Sequence, residues 1–151
     1  ELAAVSPCVY LRQGHPLASL PSLTEEDLDG YPYVAFEHDQ GVASDFFEEY
    51  PMATLKKPAK YISVNNRGAA MAVLAVTDAF TTGSGLLSRE QADGRVVTIP
   101  LVGKTSIHLG WIHVRSRPAP MTERFLQLLE EALADAIAFT RGMQDPGAAA
   151  H

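Results

Sequence analysis

The clearest pattern in the chain is a run of apolar residues spaced three or four positions apart between residues 122 and 139. This spacing places them on one face of a helix and therefore predicts a long amphipathic helix. Thr122 is positioned to act as its N-cap, and Gly142 as its C′ residue. The apolar positions are Phe125, Leu128, Leu129, Ala132, Leu133, Ala136 and Ile137.

The remainder of the chain alternates between strand-like and helix-like segments. β-Branched and aromatic residues predict strands at 5–11, 31–36, 60–64, 79–82, 96–101 and 107–114. Helices are predicted at 42–50 and 69–76, and a short helix is predicted to start from Ser22 or Thr24 and to end at Gly30. Strands that alternate with helices favour an α/β sheet with crossover connections.

Three predicted loops follow a strand and precede a helix, at 37–41, 65–68 and 81–85. In α/β sheets, ligands bind beyond the carboxyl ends of the strands and close to helix N-termini. The polar side chains in these loops are Glu37, His38, Asp39, Gln40, Asn65, Asn66, Arg67, Thr81, Thr82 and Ser84. As a set they favour a ligand cleft. Taken singly, Asn65 and Asn66 could equally well cap a helix, and Thr81 could fill a strand.

Composition narrows the class of protein. The 18 acidic residues outnumber the 12 basic ones, so the formal net charge is −6. The chain also lacks the block of basic residues that is typical of a nucleic-acid-binding surface. The apolar run at 71–76 is too short to cross a bilayer, and Cys8 alone cannot form an internal disulfide. We expect one cytoplasmic domain. Because the chain begins with Glu1 rather than Met, we expect it to be either a processed product or a piece of a longer protein, with a disordered tail at 142–151.

The residues do not suggest catalysis. No two histidines have the i, i+4 spacing of a helical metal site, and His108 and His113 are predicted to point to opposite faces of one strand. The sequence Gly83-Ser84-Gly85 lacks the glycine spacing of a nucleophile elbow, so a turn is the better interpretation. Cys8 is predicted to be a small buried apolar residue. We therefore predict no enzyme activity, no cofactor and no metal.

Four segments resemble the effector-binding domain of LysR-type transcriptional regulators, in the order and at the spacing of that family. Residues 9–18 (VYLRQGHPLA) resemble the family's strand and "His-Pro-Leu-Ala" turn, and residues 22–34 (SLTEEDLDGYPYV) follow at the family's distance. Residues 72–82 (AVLAVTDAFTT) and 109–117 (LGWIHVRSR) resemble two later segments. In the third segment, Val76 and Asp78 stand where most members have glycine.

This resemblance implies an α/β fold like that of type II periplasmic binding proteins, with a mixed sheet flanked by helices. Its second subdomain (21–106) would be complete, the crossover strands would lie at 5–11 and 107–114, and the helix at 120–141 would belong to a partial first subdomain. The effector-binding fragment would thus span 1–141. DNA would be bound only by an N-terminal domain that is not in this chain.

The resemblance also implies a small-molecule effector, often a carboxylate or aromatic metabolite, held between the subdomains. The residues carried over to the wall of the cleft are Glu37, His38, Asn65, Asn66, Arg67, Thr81 and Thr82, with Arg67 placed to pair with a carboxylate. Most of the opposite wall would lie outside this chain, so we expect weak affinity.

Two other interpretations stay open: a periplasmic solute-binding protein of the same fold, and an enzyme built on that fold. The enzyme would need a nucleophile or a cofactor-binding lysine at the cleft. Large apolar residues on the 122–139 helix would be exposed in this chain. We therefore expect this helix to mediate a homo-oligomer or to refold onto another surface.

Overall fold

The computed structural model of the protein describes residues 1–36, 59–87, 94–103, 106–112 and 119–144. Within these ranges, the chain forms two α-helices, seven strands and one short 3₁₀ helix at Glu26–Leu28. The strands are β1 (Ala3–Val5), β2 (Cys8–Arg12), β3 (Tyr33–Phe36), β4 (Tyr61–Val64), β5 (Thr81–Gly83), β6 (Val96–Pro100) and β7 (Ile107–Leu109). The helices are α1 (Arg67–Val76) and α2 (Pro120–Gln144). The predicted helix at 42–50 lies outside the described residues.

The sheet has β2 near its centre. β2 pairs antiparallel with β5 on one side and with β6 on the other, while β3 and β4 form a parallel pair. A parallel bridge from Tyr33 to Phe80 connects these two groups, and Val34 N donates to Phe80 O at 2.8 Å. Parallel and antiparallel strands are therefore combined, which confirms the predicted mixed α/β architecture.

The alternation of side chains along β2 divides the core into two clusters. Val9 and Leu11 pack on one side with Tyr33 and Phe80, whereas Tyr10 packs on the other side with residues of α1. In this second cluster, Leu74 of α1 has a fully buried side chain. Successive residues of a strand point to opposite faces, so one short strand supplies both clusters.

The predicted strand at 5–11 is wrong in one respect, because it is two strands in different sheets. β1 ends at Val5, opposite Ile107 of β7, whereas β2 begins at Cys8, opposite Gly83 and Pro100. The interruption contains Pro7, which has no N–H to donate and so cannot continue a ladder. The predicted strand at 107–114 is also shorter, since β7 ends at Leu109.

Two helix termini differ from prediction. α2 begins at Pro120, so Thr122 lies inside the helix and is not its N-cap. The helix also continues through Gly142 to Gln144, three residues beyond the predicted end at 141. No helix in the described part of the chain is long and apolar enough to span a membrane.

The short 3₁₀ helix has Glu25 at its N-cap position with no side-chain capping bond, so neither Ser22 nor Thr24, the two predicted starts, is its N-cap. The Asp27 carboxylate accepts hydrogen bonds from Thr24 N at 2.8 Å and from Thr24 Oγ1 at 2.9 Å. Both bonds favour the ionised form, so the pKa of Asp27 is lowered, with the backbone bond as the larger cause. The segment turns at Gly30, whose φ of 93° supports the predicted end.

Candidate functional site

The carboxyl ends of three strands meet at one edge of the sheet. β3 and β4 run parallel in a register that places Phe36 opposite Val64. β5 runs parallel to β3, because the Tyr33–Phe80 bridge is parallel, so its end at Gly83 lies on the same side. This is the edge at which the polar loops are predicted to converge.

The start of α1 is formed by Asn65, Asn66 and Arg67. Asn66 is the N-cap: its Oδ1 accepts from Ala69 N at 2.9 Å, and its Nδ2 donates to Asn65 Oδ1 at 2.8 Å. Both asparagines are exposed. The capping role left open by the sequence is therefore confirmed for Asn66, and both amides remain at the surface beside the positive end of the helix dipole.

Arg67 is half-buried and lies across the end of the sheet. Its Nη2 donates to the carbonyl oxygen of Leu86 at 3.4 Å, and its Cζ lies 5.9 Å from the ring centroid of Tyr10. The Tyr10 hydroxyl donates to the same carbonyl at 3.4 Å. The Leu86 carbonyl and the Tyr10 ring thus fix the position of the guanidinium at this end of the sheet.

Thr81 and Thr82 are buried within β5 rather than placed in a loop. Thr81 Oγ1 donates to Val34 O at 2.9 Å, while Thr82 Oγ1 lies 3.4 Å from the Tyr33 hydroxyl. Because they are consecutive residues of a strand, their side chains point to opposite faces of the sheet. The residues that actually follow β5 at the edge are Ser84 and Leu86.

A cavity of about 210 Å³ lies next to Leu86. Its polar wall includes Cys8, Ser84 and Thr140, and a further part comes from β1 and from Ile137 of α2. Cys8 is buried and its Sγ donates weakly to Ser6 O at 3.6 Å, which agrees with its predicted role as a buried residue. No charged side chain lines this cavity among the described residues.

The prediction of the site from sequence is thus met unevenly. Asn65, Asn66 and Arg67 lie together at the sheet edge, Thr81 and Thr82 are buried below it, and Glu37 and His38 lie outside the described residues. Tyr10, the Leu86 carbonyl and Thr140 were not predicted. No local signal identifies them, because each reaches the site through a contact with a distant part of the chain.

His15 is buried beside Asp78, just after the C-terminal end of α1, and its contacts are structural. Leu17 N donates to its Nδ1 at 3.0 Å, so the ring proton lies on Nε2, which donates to Asp78 O at 3.3 Å. Burial is the larger cause that lowers the pKa of His15, with the hydrogen bond to Asp78 opposing it. No group of three potential metal ligands occurs among the described residues.

The family model of the LysR substrate binding domain matches residues 1–134. The chain belongs to the LysR family. LysR substrate-binding domains are the effector-binding domains of transcription regulators, and the fold is the one expected for them. No curated protein matches the chain significantly.

Solved LysR-family structures share this fold at low sequence identity. HinK, a LysR family transcriptional regulator from Pseudomonas aeruginosa, is 19% identical with a TM-score of 0.58, over 85% of this chain and 44% of HinK. The effector-binding domain of QuiR in complex with shikimate is 17% identical (TM-score 0.54, covering 86% and 62%). The BenM effector-binding domain with benzoate is 14% identical (TM-score 0.55, covering 96% and 64%). The chain therefore spans less than two thirds of each of these structures.

Proposed function

We propose that this LysR domain senses a small carboxylate-bearing effector and relays its binding to a DNA-binding domain elsewhere in the protein. The observation that carries the proposal is the position of Arg67, a half-buried cation at the start of α1 that donates to the Leu86 carbonyl at 3.4 Å and follows the exposed Asn65 and Asn66. A carboxylate would offer this guanidinium two shorter, charge-assisted hydrogen bonds. The α1 dipole favours the same charge.

Asn65 and Asn66 complete the exposed part of the proposed site. Their amides lie beside Arg67 and can donate to the uncharged portion of an effector, as required for selectivity among carboxylates. Thr81 and Thr82 support the wall from within the sheet. Glu37 and His38 belong to the proposed site as residues that follow β3 in the sequence.

The domain division that we propose follows the family. Residues 21–106 form the second subdomain, β1 and β7 lie in the two crossover segments, and α2 belongs to the first subdomain. Effector binding between the subdomains would alter their relative orientation, which a DNA-bound homo-oligomer would detect. Such a regulator acts in the cytoplasm. The family match favours this function over solute transport or catalysis on the same fold.

The proposal is tested by titrating the chain with sodium benzoate, the effector bound by BenM, with sodium shikimate, the ligand bound by QuiR, and with neutral benzamide. NMR chemical shifts report binding. We expect saturable binding of at least one carboxylate and none of benzamide, with affinity lost in R67Q and retained in R124Q. Arg124 is a suitable control because it is exposed on α2 and bonded to Gln127.

Equal carboxylate affinity in R67Q and in the unmodified chain would place the anion site elsewhere. Tighter binding of benzamide than of benzoate would contradict an anionic effector. The regulatory step is then measured on the full-length protein, in which R67Q should abolish the effector-dependent change in binding to operator DNA.

A further inference from the structure

The 210 Å³ cavity lies where β1, the turn after β5 and α2 come together. β1 contributes Ala4 and Val5, the turn contributes Ser84, and α2 contributes Ile137 and Thr140. Three segments that are distant in sequence therefore form one concave surface, here termed the α2 cavity.

The α2 cavity has an exposed side and a buried side. Ala4 and Ser6 are exposed, whereas Cys8, Ser84 and Thr140 are buried. This gradient gives a small molecule a route from the surface to a region that is shielded from water. The cavity is therefore suited to a ligand that buries most of its own surface.

The Thr140 hydroxyl determines which kind of atom a ligand must bring to the buried side. Thr140 is 6% exposed, and its oxygen accepts from Leu87 N at 3.5 Å. Within the described part of the chain, its hydroxyl proton is not donated to any acceptor. A ligand that displaces water from this hydroxyl must supply an acceptor or leave a buried donor unsatisfied.

The rest of the wall selects against charge. Val5, Leu86 and Ile137 supply apolar surface, and no charged side chain lines the cavity in the described ranges. Burying an ionised group without a partner is costly, so a carboxylate or an ammonium group is disfavoured here. The two N–H groups of an amide would also lose water, so an acceptor without such donors fits best.

The volume sets the size of the ligand. A cavity of about 150 Å³ lined by apolar side chains is large enough for benzene. The α2 cavity, at about 210 Å³, has room for one six-membered ring and a small substituent.

We propose that the α2 cavity binds a small neutral cyclic ketone. The Thr140 hydroxyl donates to the ketone oxygen, and Val5 and Ile137 pack against the ring. Arg67 does not line this cavity, so the site is separate from the proposed carboxylate site and differs from it in charge preference. A ligand here contacts β1, the turn and α2 at once, and its binding stabilises the folded chain.

The experiment titrates the full chain with cyclohexanone and follows methyl chemical shifts by NMR. The methyl groups of Val5 and Ile137 report on the cavity, and those of Leu28, in the other core cluster, serve as the remote reference. Cyclohexylammonium chloride has the same ring with a charged substituent and is the ligand control. The variants are T140V, its matched control T140S, which retains the hydroxyl, and R67Q.

We expect saturable cyclohexanone shifts at Val5 and Ile137 but not at Leu28, with a Kd on the order of 1 mM for so small a ligand. T140V should weaken binding roughly three- to tenfold, because one hydrogen bond is lost. T140S should remain within about twofold of the unmodified chain. R67Q should bind cyclohexanone normally, and cyclohexylammonium should produce no saturable shift.

The variant I137F replaces T140V in this test if T140V does not fold. Its larger side chain should fill the cavity and abolish cyclohexanone binding. A cyclohexanone affinity that is unchanged in I137F would overturn the proposal.

Absence of saturable shifts at Val5 and Ile137 would overturn the proposal, as would equal affinity in T140V and T140S. Equal binding of cyclohexylammonium would contradict the selection against charge. Loss of cyclohexanone binding in R67Q would show that the ketone occupies the carboxylate site instead. The carboxylate titration uses other ligands and another residue, so each of the two proposals can fail without the other.

Discussion

Gly85 and Cys8 approach each other more closely than any residue with a side chain at position 85 would allow. A Cβ built at Gly85 would lie 2.6 Å from Cys8 Sγ and 2.9 Å from its Cβ, and the φ of Gly85 is +74°. The contact joins the turn after β5 to the start of β2, where Cys8 pairs with Gly83. Glycine is therefore required here both for its backbone conformation and for its lack of a side chain.

Substituting Gly85 with alanine should destabilise the protein by about 2–4 kcal/mol, the sum of left-handed backbone strain and a steric overlap. Gly103 provides the control, because its φ is +78° but nothing lies within 4 Å of a Cβ there. G103A should cost only about 1 kcal/mol. Urea unfolding of the two variants measures the difference, and equal losses would show that the Cys8 contact is readily relaxed.

Substitutions of Asn66 should separate helix capping from effector binding. N66A removes the oxygen that accepts from Ala69 N and should cost about 1 kcal/mol of stability. N66D retains an acceptor and should be nearly as stable as the unmodified chain. Its added negative charge should nevertheless weaken carboxylate binding by roughly two- to fivefold.

Thermal unfolding and the benzoate titration together test this separation. Unchanged stability in N66A would contradict the capping role. Undiminished carboxylate affinity in N66D would place the anion away from the start of α1.

His15 should make the stability of the protein depend on pH. Because burial lowers its pKa below 6.5, the unfolded chain binds more protons than the folded one at mildly acidic pH. The free energy of unfolding should therefore be highest above pH about 6.5 and should decrease as the pH falls below that value. Protonation of Nδ1 also removes the acceptor of the Leu17 N–H.

The measurement is urea unfolding between neutral and mildly acidic pH for the unmodified chain, H15Q and H108Q. H15Q should flatten the decrease. H108Q, which changes an exposed histidine paired with Glu1, should retain it. An identical pH profile in H15Q and the unmodified chain would show that another group is responsible.

The outer face of α2 should cause the chain to self-associate. Met121, Phe125 and Leu128 follow one another at helical spacing and are 84%, 61% and 47% exposed. Apolar rows of this kind are normally covered in soluble proteins. Sedimentation equilibrium should find species larger than the 16.3 kDa monomer.

The double variant F125Q/L128Q should shift this equilibrium to the monomer without loss of helix, because glutamine is a good helix former. E131Q, a change on the polar side of the same helix, should have no such effect. A monomeric unmodified chain with α2 intact and exposed would contradict the prediction.

Local patterns in the sequence were sufficient wherever the deciding interaction is between near neighbours. Spacing predicts the Asn66 cap, the Thr24–Asp27 interaction and the central part of α2, because each involves residues within a few positions of one another. The ends of α2 were less predictable, because several residues there can adopt helical geometry and none imposes a stop.

The residues of the candidate site also divide into those that local sequence predicts and those that depend on contacts with distant segments. Arg67 was predicted because it begins a helix after a strand, which is a local property. The faces of the sheet to which the Thr81 and Thr82 side chains point were not predictable, since they depend on the register of β5 against β2. Tyr10 and Leu86 meet across 76 positions of sequence, and no pattern in either segment indicates the other.

The order and spacing of residues were enough to predict the family, the mixed α/β class, the capped start of α1 and the amphipathic character of α2. Each of these follows from residue order and short spacing, which survive in any conformation of the rest of the chain. The separation of two sheets at Pro7, and the contacts of Leu86 with Arg67 and of Leu87 with Thr140, became visible only in the folded chain. Those features arise when distant segments pack, and the free energy of that packing depends on the whole core rather than on any one segment.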